Sequence, residues 1–150
     1  MNKKLVIFDF DGVLVNTTVD TKTLYELVHK LSASYVLTVV SSAHSDQITS
    51  FLIQEGIVEC FQEILGVDSE VSKEKKITNL LKRNKTKPEN AVYVTDTVSD
   101  IRDAAQCNVA SIGVTWGTQN EDTLFEGAPY AIVDTVPLLE SAIEEVLANS

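Results

Sequence analysis

The chain has 150 residues, enough for one domain with a sizeable core, and its 44% hydrophobic and 23% charged content exclude a disordered polymer. Twelve Lys and Arg against 22 Asp and Glu give a formal charge of −10. That balance repels polyanions and excludes nucleic acid as an expected partner.

The opening "MNKKLVIFDFDG" begins basic and turns apolar. Its apolar part, residues 5–10, is too short for an export signal or a membrane span, so a cytoplasmic protein with no membrane partner is expected. The same run reads as a first strand over 5–10. Leu24, Leu27, Val28 and Leu31 then recur at helical spacing, and residues 35–40 form a second apolar strand. Ile48, Phe51, Leu52 and Glu55 mark a second helix that Gly56 stops, and the short strand "EILGV" follows. Ser72 is placed to cap a third helix carrying Ile77, Leu80 and Leu81, with Asn84 past its end. The basic cluster "SKEKKITNLLKRNKTK", residues 72–87, reads as a solvated helix face holding one active lysine.

Strands are expected next at Ala91–Thr95, Ala110–Val114 and Ala131–Val133. A helix over 98–107 separates the first two and ends on a left-handed Asn108. The last helix starts near Pro137 and carries Leu139, Ile143, Val146 and Leu147. Continuously apolar strands alternating with helices imply an α/β fold. The expected architecture is a single doubly wound, mostly parallel, Rossmann-like sheet with helices on both faces. No repeat, low-complexity tract or linker divides the chain, so residues 1–150 are read as one domain. Cys60 and Cys107 stand in no metal-binding spacing and read as reduced, buried thiols.

Ligands of such sheets bind beyond the carboxyl ends of the strands. Asp9 and Asp11 follow the first strand, Ser41 and Ser42 the second, and Asp96 and Asp100 the strand "AVYVT". In extended backbone Asp9 and Asp11 lean to one side while Phe8 and Phe10 lean to the other. Four carboxylates converging on one crevice need a hard cation, and oxygen-only ligation selects Mg²⁺. With His29 and His44 the only histidines, a nitrogen-rich zinc site has little support. A carboxylate beside Mg²⁺ can attack phosphorus, and its neighbour can protonate the departing oxygen and later activate water. Ser41 and a lysine of "SKEKK" can hold the phosphoryl oxygens.

These residues carry a resemblance. "DFDGVLVNT" resembles the first motif of the haloacid dehalogenase (HAD) superfamily, "VLTVVSSAH" the second, "SKEKKI" the third and "VYVTDTVSDIRDAA" the fourth, in the right order. The similarity extends through "VASIGVTWG" and "APYAIVDTVPLL", so it covers nearly the whole chain, and the core is similar to that of phosphoglycolate phosphatases. The resemblance implies a Mg²⁺-dependent phosphomonoester hydrolase in which Asp9 is the nucleophile, forming an aspartyl-phosphate, and Asp11 the general acid and base. It implies that Ser41, with Ser42 beside it, and Lys73 bind the phosphoryl group; Lys73 matches the helix-start position better than Lys75 or Lys76. It further implies that Asp9, the Asp11 carbonyl and Asp96 hold Mg²⁺, with Asp100 a direct or water-mediated ligand. Asp11 favours phosphate esters over halo-acids, since the namesake dehalogenases lack that second acid.

Two departures stand out. Thr95 replaces the glycine usual before the first acid of the fourth motif and narrows the space near the metal. Only residues 13–34 lie between the first motif and the second strand, too few for the helical cap of many relatives. Capless relatives act on large substrates that reach an open site, or form oligomers in which a neighbour covers it. The partner expected here is thus a phosphorylated substrate, small or large, with a homo-oligomer as one way to close the site.

Other readings of the same residues stay open. A receiver-like regulatory module also gathers acids around Mg²⁺, and a HAD-fold scaffold could have lost activity. Asp96 and Asp100 also fit helix-start acids, and Ser41 or Ser42 fits a cap for the helix containing Ile48. His44 reads as an exposed loop residue and Trp116 as a packed aromatic at a strand end.

Overall fold

Leu5–Phe8 forms β1, fully buried on both faces, and sits in the middle of a parallel sheet. The computed structural model describes residues 4–69 and 71–148. After β1 come α1 (Thr21–Ser32), β2 (Val36–Val40), α2 (Ser45–Gln54), β3 (Phe61–Leu65) and α3 (Lys73–Arg83). β4 (Ala91–Thr95), α4 (Val98–Gln106), β5 (Ala110–Val114), α5 (Glu121–Phe125), β6 (Ala131–Val133) and α6 (Val136–Ala148) complete the described chain. The strands lie in the order β3-β2-β1-β4-β5-β6, every pairing parallel, as the α/β expectation requires.

The inner strands are almost continuously apolar because both faces are covered, whereas the edge strand β3 carries Gln62 and Glu63; alternate side chains serve opposite layers. Val6 and Phe8 join Leu24 and Leu27 of α1, Leu52 of α2 and Ile143 of α6 in one core. Leu5 and Ile7 point the other way, into a core with Ile77 and Leu80 of α3 and Ala104 of α4. The sequence periods of these helices therefore match the faces they bury.

Local chemistry sets the element ends. Asp20, Ser72, Thr97 and Asn120 cap the helices that follow them. Gly56 (φ +74°) and Asn108 (φ +61°) take the left-handed conformation that stops a helix. α2 differs from expectation: its cap is His44, whose Nδ1 accepts the Asp46 N–H at 3.3 Å, so Ser41 and Ser42 are free of that duty. β1 ends at Phe8 rather than residue 10, because the chain turns out of the sheet just past Asp9, whose N–H still donates to the Val94 carbonyl at 2.9 Å. α5, a five-residue helix, was not readable from its sequence, "EDTLF", which carries too few apolar positions to show a period. Both cysteines are free and half-buried rather than core residues, Cys60 lying 3.3 Å from His29 Nδ1.

Between β1 and β2 there is a loop and α1, and between β2 and α3 only α2, β3 and short turns. No cap domain is inserted at either place. Among the described residues no helix is long and apolar enough to cross a membrane.

Candidate active site

Strand order decides what meets at the carboxyl edge. β2, β1 and β4 are neighbours, and the order reverses direction across β1 and β4, which opens a crevice there. Ser41 follows β2, Asp9 follows β1 and Asp96 follows β4. The crevice encloses about 540 Å³, and Asp9, Asp11, Ser41, Ser42, Lys73, Asp96 and Asp100 all line it. Every residue singled out from the sequence for phosphoryl or metal binding is therefore gathered in one place.

Asp9 lies at the floor, 5% exposed, with Oδ1 accepting the Phe10 N–H at 2.8 Å. Burial pushes its carboxyl up to about 8; the Lys73 ammonium works against that rise and the Asp100 carboxylate adds to it. Lys73 opens α3, and its Nζ stands 3.7 Å from Asp9 Oδ1 and 2.9 and 3.0 Å from the two oxygens of Asp100. Burial alone would lower Lys73, but the two carboxylates overcome it and hold the ammonium above its ordinary range. Burial likewise opposes the Asp100 anion, which Lys73 and further hydrogen bonds keep below the usual carboxylate range.

The other two lysines of "SKEKK" do different work. Lys75 is exposed. Lys76 is buried under the loop after β2, with Nζ 3.4 Å from the Ser41 carbonyl, and burial pulls it below its ordinary range. Only Lys73 touches the acids.

Asp11 stands exposed at the crevice rim, and its Oδ1 accepts the Asn16 amide at 2.5 Å. The loop that carries it is wound tightly: the N–H groups of Leu14 and Val15 both donate to the Phe10 carbonyl, at 2.9 and 3.2 Å. Val13 and Leu14 are buried and anchor the loop to the core. Trp116 turns out to be the second anchor. Its indole N–H donates to the Val13 carbonyl at 3.1 Å, and its own carbonyl accepts the Thr18 N–H at 3.1 Å.

Asp96 is clasped from both sides. A Cβ on Gly12 would lie 2.1 Å from Asp96 Oδ2, and one on Gly117 would lie 2.6 Å from the same oxygen and 2.3 Å from the Gly12 carbonyl. Thr118 N–H donates to Asp96 Oδ2 at 2.8 Å, while Oδ1 is buried with no hydrogen-bond partner among the described residues. Gly117 and Thr118 were not anticipated as site residues. The local signal available is a glycine directly after a strand-end tryptophan, which suits a close approach, but the atom it approaches belongs to another segment.

Thr95, the departure from the fourth motif, turns its side chain on Asp100: its hydroxyl donates to Oδ2 at 2.8 Å. It thereby holds Asp100 toward Lys73. Thr95→Val keeps the volume and deletes this bond to a buried anion, so a loss of about 1–3 kcal/mol in urea unfolding is expected. Thr95→Ser should recover most of it. Among the described residues no three His, Cys, Asp or Glu side chains converge tightly enough to hold an ion by themselves. Asp100 is drawn to Lys73, while Asp96 packs against Gly12 of the Asp11 loop and Asp9 directly precedes that loop in the chain.

Comparison with known proteins decides the family. Residues 20–114 match the family model of haloacid dehalogenase-like hydrolases. The chain belongs to that family. As a HAD-like hydrolase it is similar to the phosphoglycolate phosphatase of Synechococcus elongatus, 26% identical over 116 residues, which cover 77% of this chain and 55% of that protein. The phosphoglycolate phosphatase of Vibrio vulnificus strain CMCP6 is 28% identical over 110 residues, covering 71% of this chain and 48% of the relative. The chain spans about half the length of the curated relatives it matches. Among solved structures, a "predicted phosphatase" from Clostridium acetobutylicum superposes with TM-score 0.81 at 20% identity, covering 97% of this chain and all of the other. A haloacid dehalogenase-like family hydrolase from Streptococcus pneumoniae gives 0.75 at 19% identity, covering 99% and 98%. At such identities the structural likeness speaks for the HAD fold alone. The matched family segment begins after Asp9 and Asp11, so the case for those two acids rests on their motif and geometry.

Proposed function

We propose that this chain is the catalytic core of a Mg²⁺-dependent phosphomonoester hydrolase, acting in the cytoplasm and built as one domain. The observation that carries the reading is the pairing of a buried carboxylate, Asp9, with the Lys73 ammonium at the floor of an open crevice at the β1/β4 reversal. The donor set suits Mg²⁺. Asp96 has a buried carboxylate oxygen with no protein partner, and Asp9 would hold its proton near neutral pH unless more positive charge stood beside it. Asp9, Asp96 and the Asp11 carbonyl would hold the ion, with Asp100 a more distant ligand through water. When bound, Mg²⁺ supplies positive charge that keeps Asp9 ionised and offsets the charge spreading over the phosphoryl oxygens.

The chain's own groups then perform the transfer. Lys73 and Ser41, with Ser42 beside it, hold the phosphoryl oxygens over Asp9. A carboxylate oxygen of Asp9 forms a bond to phosphorus as the ester P–O bond breaks, and Asp11 gives its proton to the leaving oxygen. Asp11, now a carboxylate, takes a proton from water as that water attacks phosphorus, releasing inorganic phosphate and restoring Asp9. The exposed rim position of Asp11 favours this reading over a receiver-like store of phosphate, which needs no acid for an ester leaving group.

The test is hydrolysis of p-nitrophenyl phosphate by the purified chain. Turnover is expected with Mg²⁺, should vanish with EDTA and should return when Mg²⁺ is added in excess. Activity indifferent to EDTA would refute the metal-dependent mechanism, and no activity on any of a broad phosphate ester panel would refute the hydrolase reading.

A further inference from the structure

The crevice supports a statement about the substrate that goes beyond the reaction class, and it rests on the hydrolase reading above. Four carboxylates line the crevice: Asp9, Asp11, Asp96 and Asp100. Among the described residues Lys73 is the sole cationic side chain there, and it is already engaged by Asp9 and Asp100. Lys76 stays under the Ser41 backbone, and Lys82, Lys85 and Lys87 line a separate groove beside α3. The part of the crevice beyond the acids is built differently. Ser99 and Thr118 are exposed at its rim, with hydroxyls that bond to no other group among the described residues, and Gln119 follows Thr118 in the lining. Gln119 spends its amide oxygen on the Val98 N–H at 2.7 Å, which leaves its amide nitrogen as a donor.

A phosphoryl group would consume the positive charge that Lys73 and a bound divalent cation provide. A second anion on the same substrate, such as a carboxylate, would then sit among acids with no cation to meet it, a repulsive arrangement that discriminates strongly between ligands. Hydroxyl groups would find the rim's own donors and acceptors. We infer that the substrate is a phosphomonoester whose leaving group is uncharged and bears hydroxyls, and that esters carrying a carboxylate beside the phosphate are rejected. This separates the chain from what the name of its curated relatives says of them.

The test compares matched esters that differ only by CH₂OH against COO⁻: 2-hydroxyethyl phosphate with 2-phosphoglycolate, and glycerol 3-phosphate with 3-phosphoglycerate. The full chain is assayed with Mg²⁺, and p-nitrophenyl phosphate serves as the control. The hydroxyl member of each pair should have a kcat/KM higher by about tenfold or more. Ser99→Lys, which adds an ammonium at the rim, should narrow that ratio by raising turnover of the carboxylated member. Equal rates, a preference for the carboxylated esters, or hydrolysis of the control with neither member accepted would overturn the inference. No turnover of the control, of these four esters or of the broader panel would instead overturn the hydrolase reading, and this inference with it.

Discussion

Asp9→Asn is expected to remove turnover, by at least about 10⁴-fold in kcat, while making the metal-free protein more stable near neutral pH. The amide keeps the shape and cannot form an acyl phosphate. The stability gain follows from burial: Asp9 is pushed up to about 8 in the folded chain, well above its ordinary 3.8. A carboxyl whose proton is held more tightly in the folded state costs nothing below the unfolded pKa. Its penalty then grows as pH rises toward the folded pKa, because the unfolded chain ionises first. Lys73 and the Phe10 N–H oppose the penalty, and Asp100 adds to it. The variant should therefore gain nothing near pH 4 and most near pH 8, about 2–4 °C in Tm for each kcal/mol recovered. Thermal melts of both proteins in EDTA across that range measure it. A variant less stable than the parent at pH 8 would mean that Lys73 outweighs the cost of burying Asp9.

Gly12→Ala is expected to be the most damaging change of a single small residue. Its φ of +82° already disfavours a side chain, and the new Cβ would lie 2.1 Å from Asp96 Oδ2. Either Asp96 moves or the Asp11 loop does, and the proposed mechanism uses both. A stability loss of about 1–3 kcal/mol is expected, together with about a 10²-fold fall in kcat/KM from misplaced groups. Gly56→Ala is the control. It has a similar φ, +74°, but nothing within 4 Å of the added carbon, so strain of about 1 kcal/mol should appear with activity intact. If the two variants lose activity equally, the damage comes from backbone conformation and not from the crowding of Asp96.

A set of contacts across distant segments underlies the different effects expected at these two positions. Gly12, Asp96, Gly117 and Thr118 come from three loops, and the clasp they form also depends on Trp116 tying the Val13 carbonyl to the β5 end. The HAD fold supplies the strand ends, but these loops determine how closely the acids can be held. Thr95 belongs to the same layer of detail, since its hydroxyl commits Asp100 to Lys73.

Much of this was legible in the sequence because it is local. Continuous apolar strands, the periods of α1, α3 and α6, the Ser72 cap and the left-handed Asn108 all arise from residues within a few positions of each other. The acids and Ser41 could be placed at strand ends for the same reason. Which strands are neighbours is not local, and the order β3-β2-β1-β4-β5-β6 alone brings the ends of β2, β1 and β4 together. The tertiary structure also chose among three crowded lysines, putting Lys73 on the acids, Lys76 beneath Ser41 and Lys75 in solvent. It moved the helix cap from Ser41 or Ser42 to His44 and made Gly117 a wall of the Asp96 pocket. Sequence by itself determined most element types, which polar residues stand at each strand end, and the resemblance to the HAD family. Distances between segments far apart in the chain were decided only by packing, because short-range spacing carries no information about which segments meet.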